Sequence, residues 1–76
     1  MKTVQISLNS IGKVKSFVNT ISQFEYDFDL ISGRYVIDAK SIMGIFSLDL
    51  SKELTLNIHS DDCAEFLDEI KDYIAE

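Results

Sequence analysis

The chain has 76 residues, of which 46% are hydrophobic and 26% are charged, and it contains neither proline nor tryptophan. Thirteen Asp and Glu against seven Lys and Arg give a formal net charge of −6 at pH 7. This composition excludes disorder, the acidic balance argues against binding to nucleic-acid phosphates, and the length predicts one domain over residues 1–76.

The first two predicted elements are a strand and a long helix. TVQISL alternates apolar and polar residues, which predicts a strand with one buried face. The inward residues of that strand are Val4, Ile6 and Leu8. Ser10, or Asn9 before it, can cap a helix, and apolar residues then recur at helical spacing from Ile11 to Phe24.

The middle of the chain predicts a hairpin and a short helix. YDFDL alternates again, ISGR contains a turn glycine, and YVID predicts the returning strand. The inward residues of YDFDL are Tyr26, Phe28 and Leu30. Ser41 is predicted to cap a short helix that ends near Leu48 or Asp49.

The last predicted elements are a strand in ELTLNI and a helix capped by Ser60 or Asp61. The strand's inward residues are Leu54, Leu56 and Ile58, and the helix's apolar positions are 63, 66, 67, 70 and 74. Each predicted strand has only one apolar face. The order βαββαβα therefore predicts an open-faced α+β sandwich, with helices on one face of an antiparallel sheet and solvent on the other.

Compartment and cofactors follow from what the sequence lacks. MKTVQISLN does not resemble a signal peptide, and no apolar run reaches membrane-spanning length, so we expect a cytoplasmic protein with no membrane partner. The single cysteine, Cys63, lies on the apolar face of the last predicted helix, which favours a buried structural thiol. We expect no metal, no cofactor and no enzymatic activity.

One stretch, KSIMGIFSLDL, begins at Lys40 with a serine at a predicted helix start. Its run Lys40 to Gly44 resembles the regulatory-serine region of HPr, the histidine-containing phosphocarrier of the bacterial sugar phosphotransferase system. The similarity continues upstream without a gap through FVNTISQFEYDFDL. The resemblance implies a four-stranded antiparallel sheet under three helices. It also implies that Ser41 is the residue that a dedicated kinase of low-GC Gram-positive bacteria phosphorylates.

The apolar residues of the short helix divide into two faces. At helical spacing Ile45 and Leu48 share one face, which we expect to be buried. The residues of the other face are Ile42, Met43 and Phe46. A short helix over a sheet can bury only one face, so we expect this second face to be exposed. The resemblance implies that it binds partner proteins. The alternative is that Phe46 folds back over the edge of the core.

The sequence departs from the family where the phosphate is carried. The family's histidine begins a His-Ala-Arg-Pro-Ala run, and at the ungapped spacing its position is held here by Ser10, followed by Ile-Gly-Lys-Val. A serine hydroxyl is a weak nucleophile without an adjacent base. The single histidine, His59, is predicted to face solvent from the last strand, with no role. Ser10 and Lys13 could form a weak anion site at the helix start, although Lys13 and Lys15 could simply be solubilising.

Three functions remain open at this point. We prefer a regulatory or adaptor protein related to the phosphotransferase system, acting through Ser41 and the adjacent apolar patch. Its partners would be proteins: a serine kinase, phosphotransferase-system enzymes or a transcription regulator. The alternatives are an interaction module unconnected with sugar uptake, and a phosphocarrier with an unusual acceptor.

Overall fold

The computed structural model describes residues 2–75, which form a four-stranded antiparallel sheet and three helices. In chain order the elements are β1 (Lys2–Ile6), α1 (Ile11–Ile21), β2 (Phe28–Ser32), β3 (Tyr35–Asp38), α2 (Ile42–Phe46), β4 (Leu54–Ile58) and α3 (Ala64–Glu69), followed by a 3-10 helix, Lys71–Tyr73. The predicted order βαββαβα and the predicted fold class are confirmed.

The strands lie in the order β1-β4-β2-β3, so the last strand in the sequence occupies a central position. Ile6 pairs with Leu54, and Phe28 pairs with Ile58. The sheet therefore has two distinct ends. The Ile6 end also holds the turn between β2 and β3, and the Ile58 end holds the beginning of β2 and the end of β3.

The two faces of the sheet differ as the alternation predicts. On the helix side Leu54, Leu56 and Ile58 of β4 are fully buried, and so are Ile6 of β1 and Leu30 of β2. Val4 of β1, also predicted to face inward, is half-buried and packs against this core. On the other side the Thr3 hydroxyl donates to Asn57 Oδ1 at 2.8 Å, and Gln5 Nε2 donates to Thr55 Oγ1 at 3.0 Å. The hydrophobic effect therefore stabilises the helix-facing side of the sheet, while cross-strand hydrogen bonds pair polar side chains on the other side.

The helices close the core from one side. Their fully buried side chains are Val14, Phe17 and Ile21 of α1, Ile45 of α2 and Phe66 of α3. The Phe66 ring lies 4.6 Å from the ring centre of Phe28 and 5.1 Å from that of Phe24, in an edge-on arrangement with Phe24. These aromatic contacts attach the short α3 to the Ile58 end of the sheet.

Two elements in the first half of the chain are shorter than predicted. The first helix ends at Ile21 rather than Phe24, because the next N–H groups bond three residues back instead of four: Gln23 N–H donates to the Thr20 carbonyl and Phe24 N–H to the Ile21 carbonyl. The first strand ends at Ile6 rather than Leu8, although Leu8 is fully buried as predicted.

The next strand and helix also differ at their ends. The strand predicted from Tyr26 begins at Phe28, and Tyr26 instead donates its hydroxyl to the Asp62 carbonyl at 2.9 Å. The short helix ends at Phe46 rather than near Leu48. Leu48 N–H donates to Ile45 O at 3.0 Å, a spacing of three residues that tightens the last turn.

The predicted caps of the last helix were wrong. The Ser60 hydroxyl accepts the Asp62 N–H at 3.2 Å, and α3 begins only at Ala64. Cys63 is buried as predicted, but it precedes the helix instead of lying on its face. Ile74, predicted on the helix, pairs with Ile6 as an antiparallel bridge.

The depth of Ile45 in the core generates a stability prediction. Ile45→Ala should lower the free energy of unfolding by about 2–5 kcal/mol, because it leaves a cavity between α2 and the sheet. The adjacent Phe46 is 39% exposed, and Phe46→Ala should cost at most about 1.5 kcal/mol because less apolar area is lost. Urea unfolding of both variants measures the difference, and an equal loss in the two would place Phe46 in the core.

Candidate functional site

Ser10, which the ungapped spacing predicts at the position of the family's histidine, precedes α1 in an exposed, extended conformation. Its hydroxyl accepts the Lys13 N–H at 3.2 Å, so the predicted helix cap is confirmed. The Ser10 hydroxyl oxygen, which would be the attacking atom if Ser10 were a nucleophile, is therefore already hydrogen-bonded to the main chain of Lys13. An anion site at these two residues stays a prediction.

Ser41 begins α2 in the same manner and is also exposed. Its hydroxyl accepts the Gly44 N–H at 3.2 Å, which confirms the predicted cap. Upstream, Ser41 N–H donates to the Asp38 carbonyl at 2.9 Å, and Lys40 N–H donates to Asp38 Oδ1 at 2.9 Å. These bonds hold the turn from β3 into α2, so that Ser41 has a fixed position at the end of the sheet.

Gly44 has a structural reason to follow Ser41 at this distance. A Cβ at position 44 would lie 3.1 Å from Ser41 Oγ and 3.2 Å from Cδ1 of Ile37 on β3. The absence of a side chain therefore lets α2 approach the sheet while the serine keeps its capping bond. The Ser-Ile-Met-Gly run encodes a cap and a close approach together.

The two helices lie side by side and begin at opposite ends of the sheet. α1 follows the Ile6 end, whereas α2 follows Asp38 at the Ile58 end, and α1 and α2 are in contact. The C-terminal end of α2 lies near the β2–β3 turn, since Ser47 and Tyr35 line the same surface pocket. Phe46 therefore lies toward the end of the sheet at which α1 begins.

The loop after α2 is held by a local contact. The Ser51 hydroxyl and N–H both donate to Asp49 Oδ1, at 2.6 and 3.1 Å, and they hold the pKa of the Asp49 carboxyl below its usual value.

The exposed apolar patch on α2 consists of Met43 and Phe46, which are 76% and 39% exposed. Ile45 and Leu48 are buried, so the predicted division of the helix is confirmed for these four residues. Ile42 was predicted to be exposed, but it is half-buried and packs against the core, because a single short helix over the sheet turns its first residue partly inward.

Sequence reasoning missed one further exposed residue. Ile11, the first residue of α1, is 64% exposed, although its spacing from Val14 and Phe17 suggested the buried face. The sequence carries no signal that separates it from the buried residues. Only the position of the helix start relative to the sheet does.

His59 has a partner that the sequence did not suggest. Its ring Nε2 lies 2.6 Å from Asp29 Oδ2, and its main-chain N–H donates to the Asp27 carbonyl at 3.0 Å. The two residues line a surface pocket of about 340 Å³ together with Asp27, Asp38, Lys40 and Phe28. Three carboxylates and one ammonium group thus surround the imidazole, and His59 follows β4 at the end of the sheet opposite Ser10.

Other site types find no support within residues 2–75. In this part of the chain, His, Cys, Asp and Glu form no group of three or more arranged to hold a metal ion. None of the helices there combines the length and the apolar character needed to cross a membrane.

The open sheet, the two exposed capping serines and the apolar patch are surface features of a small α+β protein. A family model described as "PTS HPr component phosphorylation site" matches residues 13–76. The chain belongs to the HPr family of the phosphotransferase system, as its KSIMG run predicted. Proteins of this family are phosphocarriers that interact with other proteins of the system and are not themselves catalysts.

Solved structures agree with this assignment. HPr-C-His from Thermoanaerobacter tengcongensis is 30% identical with a TM-score of 0.78, over 95% of this chain and 89% of that chain. Phosphocarrier protein HPr from Bacillus anthracis is 28% identical with a TM-score of 0.71, over 97% and 94%. A histidine-containing phosphocarrier protein from a mycoplasma shares the fold at 18% identity and a TM-score of 0.69, over 93% and 86%. No curated protein matches the chain.

The family match includes Ser41 but not Ser10. The match begins at Lys13, so Ser10 lies outside the matched residues, whereas Lys40 to Gly44 lie inside them.

The cap at Ser41 generates a prediction. Ser41→Ala should lower the free energy of unfolding by about 0.5–2 kcal/mol, because the Gly44 N–H loses its acceptor, and Ser41→Asp should retain most of the stability. Ser16→Ala, an exposed change inside α1, is the control and should be neutral or slightly stabilising. Urea unfolding measures all three, and a neutral Ser41→Ala would contradict the capping role.

Proposed function

We propose that this chain is a regulatory or adaptor member of the HPr family that acts through Ser41 and the exposed apolar patch. The observation that carries the proposal is the position of Ser41, exposed at the start of α2 and two residues before Met43, the most exposed large hydrophobic side chain within residues 2–75. Its partners are proteins: a serine kinase, enzymes of the phosphotransferase system or a transcription regulator.

The chemistry at Ser10 argues against a histidine-type phosphocarrier. Transfer through phosphohistidine needs an imidazole nitrogen that attacks phosphorus and then leaves, whereas a serine phosphoester is too stable to hand the group onward. The Ser10 hydroxyl also caps α1, and the single histidine lies among carboxylates at the other end of the sheet.

A phosphate on Ser41 would add negative charge beside the apolar patch without destabilising the fold. It would add about −1.5 to −2 charges, and its oxygens could accept the Gly44 N–H in place of the hydroxyl. The neighbouring Lys40 is already engaged, since its Nζ donates to the Phe24 carbonyl at 2.9 Å and lies 5.5 Å from the ring centre of Phe28. The new charge would therefore stay exposed beside Met43 and alter which partners bind there.

The loss of the histidine predicts a negative result with Enzyme I. Incubation with Enzyme I and phosphoenolpyruvate should give no acid-labile phosphate on this chain, while HPr from Bacillus anthracis serves as the positive control. Mass spectrometry before and after acid treatment measures the adduct. A stoichiometric acid-labile adduct would contradict the proposal, and His59→Asn would then show whether His59 is the acceptor.

The regulatory role predicts phosphorylation at one serine. An HPr-type serine kinase with ATP should add one acid-stable phosphate, and Ser41→Ala should abolish it. Ser10→Ala is the matched control, because it removes the other exposed capping serine and should leave the labelling intact. Met43→Asp should slow the labelling, whereas Tyr35→Asp, at a similarly exposed apolar position, should not. Labelling that survives Ser41→Ala would remove the basis of the proposed role.

A further inference from the structure

The sheet has two edge strands, and only one of them is covered. Along the outer side of β1, Ser7 N–H donates to the Tyr73 carbonyl at 2.8 Å, and Ala75 N–H donates to the Gln5 carbonyl at 2.8 Å. The C-terminal segment thus occupies that edge. Along the outer side of β3 no other strand pairs within residues 2–75, so this edge remains open.

The hydrogen-bond pattern of the hairpin shows which main-chain groups point outward from β3. Ala39 N–H donates to the Phe28 carbonyl at 3.0 Å, which marks the residue opposite Phe28 as a hydrogen-bonded partner. Antiparallel pairs alternate, so Tyr35 and Ile37 also bond inward to β2. Val36 therefore turns its N–H and C=O toward solvent. Such unpaired groups are a template for another strand.

Two large apolar side chains on this edge are exposed. Tyr35 is 70% exposed and Val36 is 62% exposed. Edge strands of monomeric proteins usually carry lysine, proline or a bulge that prevents pairing. Here the centre of the open strand is a valine.

Two charged residues flank the apolar part of this edge: Asp38 ends β3, and Arg34 lies in the turn directly before it. If two β3 strands pair antiparallel with Val36 opposite Val36, the turn that holds Arg34 in each copy comes next to Asp38 of the other, within reach of the long arginine side chain. In the same register Tyr35 lies opposite Ile37, an aromatic and β-branched pair that favours strand association. A shift by two residues would place Val36 opposite Arg34 or Asp38 and lose both charge pairs.

We propose that two copies of this chain associate through β3, in a twofold antiparallel pair with Val36 at its centre, which joins the two sheets into one. The contact is isologous, as a symmetric dimer requires. It uses a strand of four residues, Tyr35–Asp38, and each copy carries a net charge of −6, so the association is weak and depends on concentration.

Sedimentation equilibrium from about 10 µM to about 1 mM tests the association, with the weight-average mass rising toward the dimer. Over the same range the Val36 amide should exchange more slowly with deuterium, because its N–H gains an acceptor. A monomer mass at every concentration would overturn the proposal. A dimer in which the Val36 amide exchanges as fast as in the monomer would also overturn it.

Val36→Lys should abolish the dimer, because it places two ammonium groups opposite each other. Ile11→Lys is the matched control, since Ile11 is 64% exposed and lies outside the sheet. The dimer should persist in this control. If Ile11→Lys removes the dimer and Val36→Lys does not, the contact lies on the helix face and the proposal fails.

A charge exchange tests the register. Arg34→Asp should raise the dissociation constant by about tenfold or more, because two carboxylates then face each other, and R34D/D38R should restore the association. Lys15→Asp makes the same change of charge on α1 and should leave the constant nearly unchanged. Asp38 also accepts the Lys40 N–H, so a thermal melt should verify that the double variant is folded. A folded double variant that associates no better than Arg34→Asp would overturn the proposed register.

Discussion

Strand β4 hydrogen-bonds to β1 along one side and to β2 along the other, although it comes after both in the sequence. The hairpin of β2 and β3 and the isolated β1 cannot form the sheet until β4 inserts between them, since a lone hairpin is marginal in water. Each inward residue of β4 is fully buried under the helices. The sheet, the helix cover and the fixed positions of both capping serines all depend on this one non-local pairing.

The candidate functional groups lie at the two helix starts, on α2 and at a sheet edge. Ser10 and Ser41 have the same local geometry, each accepting an N–H three residues on. Their surroundings differ. Ser41 is anchored to β3 through Asp38 and to α2 through Gly44, whereas Ser10 follows an irregular connection from β1. An exposed apolar residue follows each serine, Ile11 after Ser10 and Met43 after Ser41, so the anchoring of the helix start is what separates the two.

The chain has the fold of the HPr family, and the ungapped spacing of its sequence predicts Ser10 at the position of the family's histidine. The position of His59 after β4 is fixed by the register with β1, and its partner is the Asp29 carboxylate. The retained parts are those that need no nucleophile: a hydroxyl at a helix start, an apolar patch beside it, and an open strand edge. All three are suited to binding proteins.

The sequence by itself determined the order of elements, the buried face of each strand and the two serine caps, because these follow from alternation, helical spacing and local hydrogen bonding. It also determined the family, through the KSIMG run. The tertiary structure decided what depends on the meeting of distant segments. The Asp29 partner of His59, the exposure of Ile11, the half-burial of Ile42 and the late start of α3 after Cys63 are such features. Spacing along one segment cannot show them, because the strand register and the packing of each helix on the sheet set which neighbours each side chain meets.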